Sequence, residues 1–296
     1  MKDIHRWAER PDSRAVGLSL FIGILAVCLT GSMIFAKEKL KPEQLIEHHL
    51  NSIGTAEARE GITSLQVSGS VAAIPRRGGS GHMEGPIRIL STTEPSQSLI
   101  DMNFGQPNYP FERIAFDSED ARVAQISPGA RSPLGQLLDV QDRPITEGLL
   151  GGALTARWAL TRFKEIKAKG SYKGLKKVDG IQLHQLDYKP KKSSDFRIRI
   201  FFEPETYRHV RTEYRLTMSA DSFRIGRGNT ATNERRYTLV EEYAQFETQE
   251  GITLPRDYKI RLTIEEQGTT MIDWEVKVAE IQLNPMIPAG TFQILE

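Results

Sequence analysis

From Ser194 to Met218 the chain alternates. Phe196, Ile198, Ile200 and Phe202 share one side and Arg197 and Arg199 the other, the period-two pattern of a half-buried strand. Glu203-Pro204-Glu205-Thr206 predicts a turn, because Pro204 has no N–H for a ladder and a fixed φ. The returning limb puts Val210, Thr212, Tyr214, Leu216 and Met218 on the apolar side and His209, Arg211, Glu213 and Arg215 on the wet side. Tyr258, Ile260, Leu262 and Ile264 alternate in the same way against Lys259, Arg261, Thr263 and Glu265. Gln267-Gly268 turns that strand into Ile272, Trp274, Val276 and Val278, while Ile281 and Leu283 fall out of phase and predict a bulge. Strands with one wet and one apolar face belong to an antiparallel sheet whose apolar side must be covered.

The cover is sought in the helical patterns. Pro42 opens one helix, with Leu45, Ile46, Leu50 and Ile53 at helical spacing and Gly54 placed for a left-handed cap; Ala56 to Arg59 adds a short turn. Ile62, Leu65, Val67 and Val71 begin a strand, with Gly69 a candidate bulge and Arg76 to Gly81 a hairpin tip. Short strands follow at 87–90, 98–104, 111–116 and 122–126, separated by turn residues as in a meander. From Ser132-Pro133 the spacing turns helical, with expected helices after Pro133, from Ile145 to Leu150 and from Ala153 to Phe163. Strands resume near Ile166, Gly180 turns one hairpin, Arg224 to Asn233 reads as a loop, and Tyr237 to Phe246 as a strand.

Residues 15–36 carry no charge, with Lys2, Arg6, Arg10 and Arg14 before them and Lys37 to Lys39 after. This is the pattern of a secretory signal, cleaved after Ile34-Phe35-Ala36, or of a single anchor in the cytoplasmic membrane, and the sequence leaves both open. Either places residues 37–296 outside the cytoplasm, in a periplasmic or similar extracytoplasmic space, as one expected domain. Cys28, the one cysteine, lies inside this run, so the remainder has no disulfide. Four of the 39 basic and three of the 38 acidic residues precede Lys37, leaving 35 of each beyond it. Such a neutral chain lacks the positive excess that binding nucleic acid requires.

The helix ending at Ile53-Gly54 and the run Ile62-Thr63-Ser64-Leu65-Gln66-Val67-Ser68-Gly69 resemble the start of the LolA/LolB-like, outer-membrane lipoprotein-sorting carriers. Asp179-Gly180, Phe201-Phe202-Glu203-Pro204-Glu205-Thr206-Tyr207, Glu250-Gly251-Ile252-Thr253-Leu254-Pro255 and Pro288-Ala289-Gly290-Thr291-Phe292 are similar to their later hairpins and C-terminal end. The resemblance implies a mainly β (α+β) fold: an incomplete antiparallel barrel, or half-barrel, with helices over its apolar concave face and a cavity for acyl chains. The expected lining is Phe196, Ile198, Ile200, Phe202, Tyr214, Leu216, Tyr258, Ile260, Leu262 and Trp274. The expected ligand is a lipid or an acylated protein. The long N-terminus and the large helical middle depart from the family pattern.

The chemistry read from the residues is sparse. The histidines are scattered, and adjacent His48-His49 face different ways on a helix, so no metal set is expected. No Gly-x-Ser-x-Gly elbow occurs, and Gly148 to Gly152 lacks the Lys and Ser/Thr of a phosphate loop. Glu241-Glu242 and Glu265-Glu266 point to opposite sheet faces and read as solvated charges. Hence no catalytic residue, enzyme activity or cofactor is expected. Arg76 and Arg77 in one glycine-rich loop, with Arg224 and Arg227 in another, are candidates for an anionic headgroup. Two readings remain: an exported carrier with an open apolar cavity, and a membrane-tethered scaffold or sensor with a filled core that binds protein through its sheet.

Overall fold

The computed structural model describes residues 40–218 and 234–294. Residues 40–296 form one compact unit. Its frame is a single antiparallel sheet of twelve strands: β1 (Ser64–Arg77), β2 (Met83–Thr92), β3 (Gln97–Gln106), β4 (Tyr109–Phe116), β5 (Ala121–Val123), β6 (Lys169–Val178), β7 (Ile181–Lys189), β8 (Arg197–Phe202), β9 (His209–Met218), β10 (Arg235–Gln249), β11 (Ile252–Glu265) and β12 (Thr269–Leu283). The order is β5-β4-β3-β2-β1-β12-β11-β10-β9-β8-β7-β6. Edge strands β5 and β6 do not pair, so the sheet stays open as a half-barrel. Two meanders are joined where β12 returns to pair with β1, and the expected bulge lies there, between Ser68 and Gly69, opposite the step from Val278 to Glu280.

The inner face is built by the alternation seen in the sequence. Ile198, Ile200, Tyr214, Leu239, Ile260, Trp274 and Val276 project to one side and join one buried cluster. That side is covered by α1 (Pro42–Ile53), which the short α2 (Ala56–Glu60) follows, and by α3 (Pro133–Val140), α4 (Arg143–Thr146) and the chain between α4 and β6. In α3 the Ser132 hydroxyl accepts from Gly135 N at 2.8 Å, the cap expected from Ser132-Pro133.

Four local expectations are corrected. Gly54 ends α1 with extended backbone (φ 166°), not as a left-handed cap. Its lack of a side chain serves close approach, since a Cβ there would lie 2.7 Å from Gly251 O. The helix expected from Ile145 to Leu150 stops at Thr146. The helix expected from Ala153 to Phe163 is a 3-10 turn (Gly152–Leu154) followed by tight turns. Trp158, Ala159 and Leu160 are consecutive and all buried, a pattern that the single buried stripe of a surface helix does not give. Last, His209 points inward and Val210 outward, the reverse of simple alternation. A register shift between Phe201 and Phe202, which pair with Arg211 and His209, inserts an extra residue into β9.

Among the described residues, no helix is long and apolar enough to cross a membrane. Residues 15–36, with their expected role as signal or anchor, lie outside the described residues.

Candidate functional site

The concave face is the candidate site, and its centre is polar. β10 carries Tyr237, Leu239, Glu241 and Tyr243 on its inward positions, so alternation itself carries a carboxylate into the core, where it is fully buried. Its Oε1 accepts from Tyr258 OH at 2.6 Å, Tyr243 OH at 2.9 Å and Gly151 N at 2.7 Å, and its Oε2 from Tyr214 OH at 2.7 Å. Burial pushes the Glu241 carboxyl above its ordinary range, against these four hydrogen bonds, which favour the charged form. Three tyrosines from β9, β10 and β11 thus stand in a ring around one acid, and the fourth donor comes from the covering segment.

Beside this ring lies a cluster of aromatic and imidazole rings. Trp158 stacks on His209 at 4.9 Å between centroids, and His209 meets the Tyr243 ring at 4.5 Å. Trp158 Nε1–H donates to His49 Nε2 at 3.0 Å, so the His49 proton sits on Nδ1, which donates to Tyr207 O at 3.1 Å. That pair of bonds requires a neutral ring, and burial lowers the His49 pKa to about 4. His209 is pushed well down by the same cause. Gly152 fits against these rings only because it has no side chain: a Cβ would lie 2.8 Å from Tyr243 OH and 3.0 Å from the His209 ring.

A third anchor fixes the same segment. Arg157 is buried and lies 4.0 Å over the Phe116 ring. It donates to Ile145 O at 2.6 Å, Thr146 O at 2.8 Å, Ser98 Oγ at 3.2 Å and Ser96 Oγ at 3.1 Å. Burial lowers its pKa to about 9. Across the sheet, Glu112 on β4 accepts from Tyr109 OH, which accepts in turn from Trp274 Nε1 at 2.9 Å. Burial raises Glu112 to about 7.

The ten residues expected to line a cavity are all on this face and between 0% and 5% exposed: Phe196, Ile198, Ile200, Phe202, Tyr214, Leu216, Tyr258, Ile260, Leu262 and Trp274. The covering segment rests on them. On the covered side a groove of about 470 Å³ lies between α1 and residues 160–165. Ile46, Leu50, Leu160 and Phe163 form its apolar lining, and Glu43, Glu47, Arg59, Arg162, Lys164 and Glu165 its polar lining.

The basic candidates are not brought together. Arg76 is on the outer face, where its guanidinium pairs with Asp273 at 3.0 Å and Glu275 at 2.7 Å. Asp273 also takes Arg261 at 2.6 Å and Lys259 at 3.1 Å. Burial alone would raise that carboxyl, but the bonds from Arg261, Arg76 and Lys259 hold it at about 2. Arg77 is exposed at the end of β1. Arg224 and Arg227 lie outside the described residues. Among the described residues, no group of three or more His, Cys, Asp or Glu is placed to hold a metal ion.

Sequence reading missed Glu241, taking it for a solvated charge. The signal was present: Glu241 shares the parity of Tyr237, Leu239 and Tyr243.

No protein-family model matches the sequence, and no curated protein matches it. Solved structures do. One is an outer membrane lipoprotein-sorting protein domain from Vibrio parahaemolyticus, at 11% identity and a TM-score of 0.43, covering 83% of this chain and 95% of that one. The chain resembles LolA-like proteins in fold. A LolA superfamily protein from Nitrosomonas europaea matches at 13% identity and a TM-score of 0.38, covering 86% of this chain and 99% of that one. The lipoprotein LppX of Mycobacterium tuberculosis matches at 11% identity and a TM-score of 0.23, covering 82% and 97%.

Proposed function

We propose that this protein is an extracytoplasmic carrier for an apolar or acylated ligand, a lipid or the acyl chains of a lipoprotein, which enters at the groove beside α1. The observation that carries the reading is that groove. Its 470 Å³ lies in the range of small-molecule sites, and its lining pairs apolar side chains with charged ones, as an acyl chain with a polar head requires. Each methylene buried there contributes about 0.8 kcal/mol. The ten inner-face residues lie beneath the covering segment and form a deeper apolar surface that a longer chain would reach by displacing it. The uncharged run 15–36, with its basic flank, supports export.

One observation favours a second reading, a cell-envelope scaffold: the inner face is filled by the chain's own side chains. Native mass spectrometry of the purified protein, with extraction of any bound lipid and titration with a fluorescent fatty acid, separates the two. The carrier reading expects a bound lipid or saturable uptake, blocked by Leu50→Trp with little change in melting, because Leu50 is only half-buried at the groove. No lipid and no uptake in the unmodified protein sinks the carrier and leaves the scaffold.

A further inference from the structure

The outer face carries a second concavity, remote in chemistry from the first. At the end of the sheet where the turn between β6 and β7 meets the turn between β8 and β9, a groove of about 630 Å³ opens against β10. Val178, Ile181, Leu183 and Val210 supply its apolar floor. Val210 is there because the β9 bulge turns it outward. Ile181 is 63% exposed, an aliphatic side chain left in water at the lip.

The charges around this floor are unequal. Asp179, Glu203, Glu205 and Glu242 line the groove, with Arg211 as the one cation among the lining residues. Arg211 is already shared: it pairs with Glu242 at 2.6 Å, Glu213 at 3.0 Å and Asp179 at 3.1 Å. Glu203 accepts from the Thr206 hydroxyl, and His184 lies beside the same turn with Nε2 at 3.2 Å from Pro204 O. The rim is therefore anionic beside an unfilled apolar floor.

We propose that this groove docks a polypeptide segment of a partner protein, one that inserts an aliphatic or aromatic side chain and flanks it with lysine or arginine. The carboxylates lining the groove disfavour an anionic lipid headgroup within it. They attract a basic flank, and the floor buries an anchor side chain. Strand addition is not the mode, because neighbouring β6 is an edge strand with Lys169, Lys173, Lys176 and Lys177 along it, a pattern that keeps other strands off. The groove holds one or two anchors, which suits a transient contact.

The test uses the full chain and two fluorescein-labelled peptides with a Leu-Phe-Leu centre, one flanked by lysines and one by glutamates, read by anisotropy. The lysine-flanked peptide is expected to bind at least about tenfold more tightly, with an affinity that falls as salt rises. Ile181→Glu and Glu205→Lys are each expected to weaken it about tenfold without lowering the melting temperature, since both side chains are exposed. Val140→Glu, an equally exposed aliphatic away from the groove, serves as control and should change nothing. Equal binding of the two peptides, or indifference to Ile181→Glu, overturns the proposal. Binding of anionic phospholipid vesicles that is lost in Ile181→Glu would replace the protein partner with a membrane, and equally overturn it.

Discussion

Glu112→Gln should change how stability depends on pH, and the direction follows from where the acid sits. Glu112 is 2% exposed on the inner face of β4, and burial raises its pKa from 4.5 to about 7 despite hydrogen bonds from Ser132 and Tyr109. In the unfolded chain the same acid ionises near its ordinary value. Between about pH 4.5 and 7 the folded state therefore holds a proton that the unfolded state has lost. Stability from this residue is fully present below that window and is lost as pH rises through it. The displacement corresponds to on the order of 3 kcal/mol. His49 works in the opposite sense. Its pKa is lowered to about 4, so its contribution is present above about pH 6.5 and is lost as pH falls toward 4. The two windows overlap, and the curve of the unmodified protein alone cannot separate them. Urea unfolding of both proteins across about pH 4.5 to 8 gives the difference in free energy, in which His49 cancels. That difference should shift in favour of Glu112→Gln by on the order of 3 kcal/mol from the acid to the alkaline end. A difference that stays constant with pH refutes the burial argument and means that water reaches Glu112.

Further expectations concern the sheet and its cover. Glu241→Ala removes the acceptor for three tyrosine hydroxyls and Gly151 N, and should cost about 3–5 kcal/mol in chemical unfolding; a loss under about 1 kcal/mol would show those donors re-paired with water. Ile200→Asp, on a fully buried inner position, should cost several kcal/mol, while Arg197→Asp, exposed on the outer face opposite Arg215, should cost under about 1, and equal destabilisation would overturn the strand register. Arg157→Met should cost about 3 kcal/mol because two buried carbonyls and the Ser98 hydroxyl lose their donor, and Arg157→Lys should recover only part of it; full recovery would mean that the charge, not the planar fork, is what matters. A periplasmic reporter fused after Glu296 should be active only if residues 15–36 direct export, and activity confined to the cytoplasm would remove the extracytoplasmic setting.

What the sequence made legible was whatever period two controls. Ile198, Ile200, Tyr214, Leu216, Ile260, Leu262 and Trp274 all face inward as their alternation requires, because one slip would turn a whole strand inside out. The bulge between β1 and β12 was legible for the same reason: Val278 and Ile281 cannot share a face without an extra residue between them. The β9 bulge was not legible, since His209 and Val210 both suit either face until Phe202 fixes the pairing. The cover was least legible. Its leucines and Trp158 lie at spacings a helix would satisfy, yet the segment is held by Gly151 to Glu241, by Arg157 to Ser98 and by Trp158 to His49 of α1, and these long-range bonds override local propensity.

The placing of those bonds bears on how the inner face is used. An apolar cover over an apolar sheet could slide, since dispersion has little direction. Here the contact is pinned by directional bonds at buried polar atoms: Gly151 N on Glu241, Trp158 Nε1 on His49 and Arg157 on Ser98. Each fixes one position of the segment, and each becomes a desolvated orphan if the segment shifts by part of a turn. A cover built this way has discrete states rather than a gradual opening. In this position it covers the ten inner-face residues, which are 0% to 5% exposed. A ligand small enough for the groove beside α1 leaves the three bonds intact. If the protein is the carrier proposed above, a longer acyl chain would have to replace buried apolar contact area of the cover, and uptake should then depend steeply on chain length. Comparing fatty acids of increasing length for binding and for heat capacity change would show this as a threshold, and a smooth dependence would place every ligand in the groove alone.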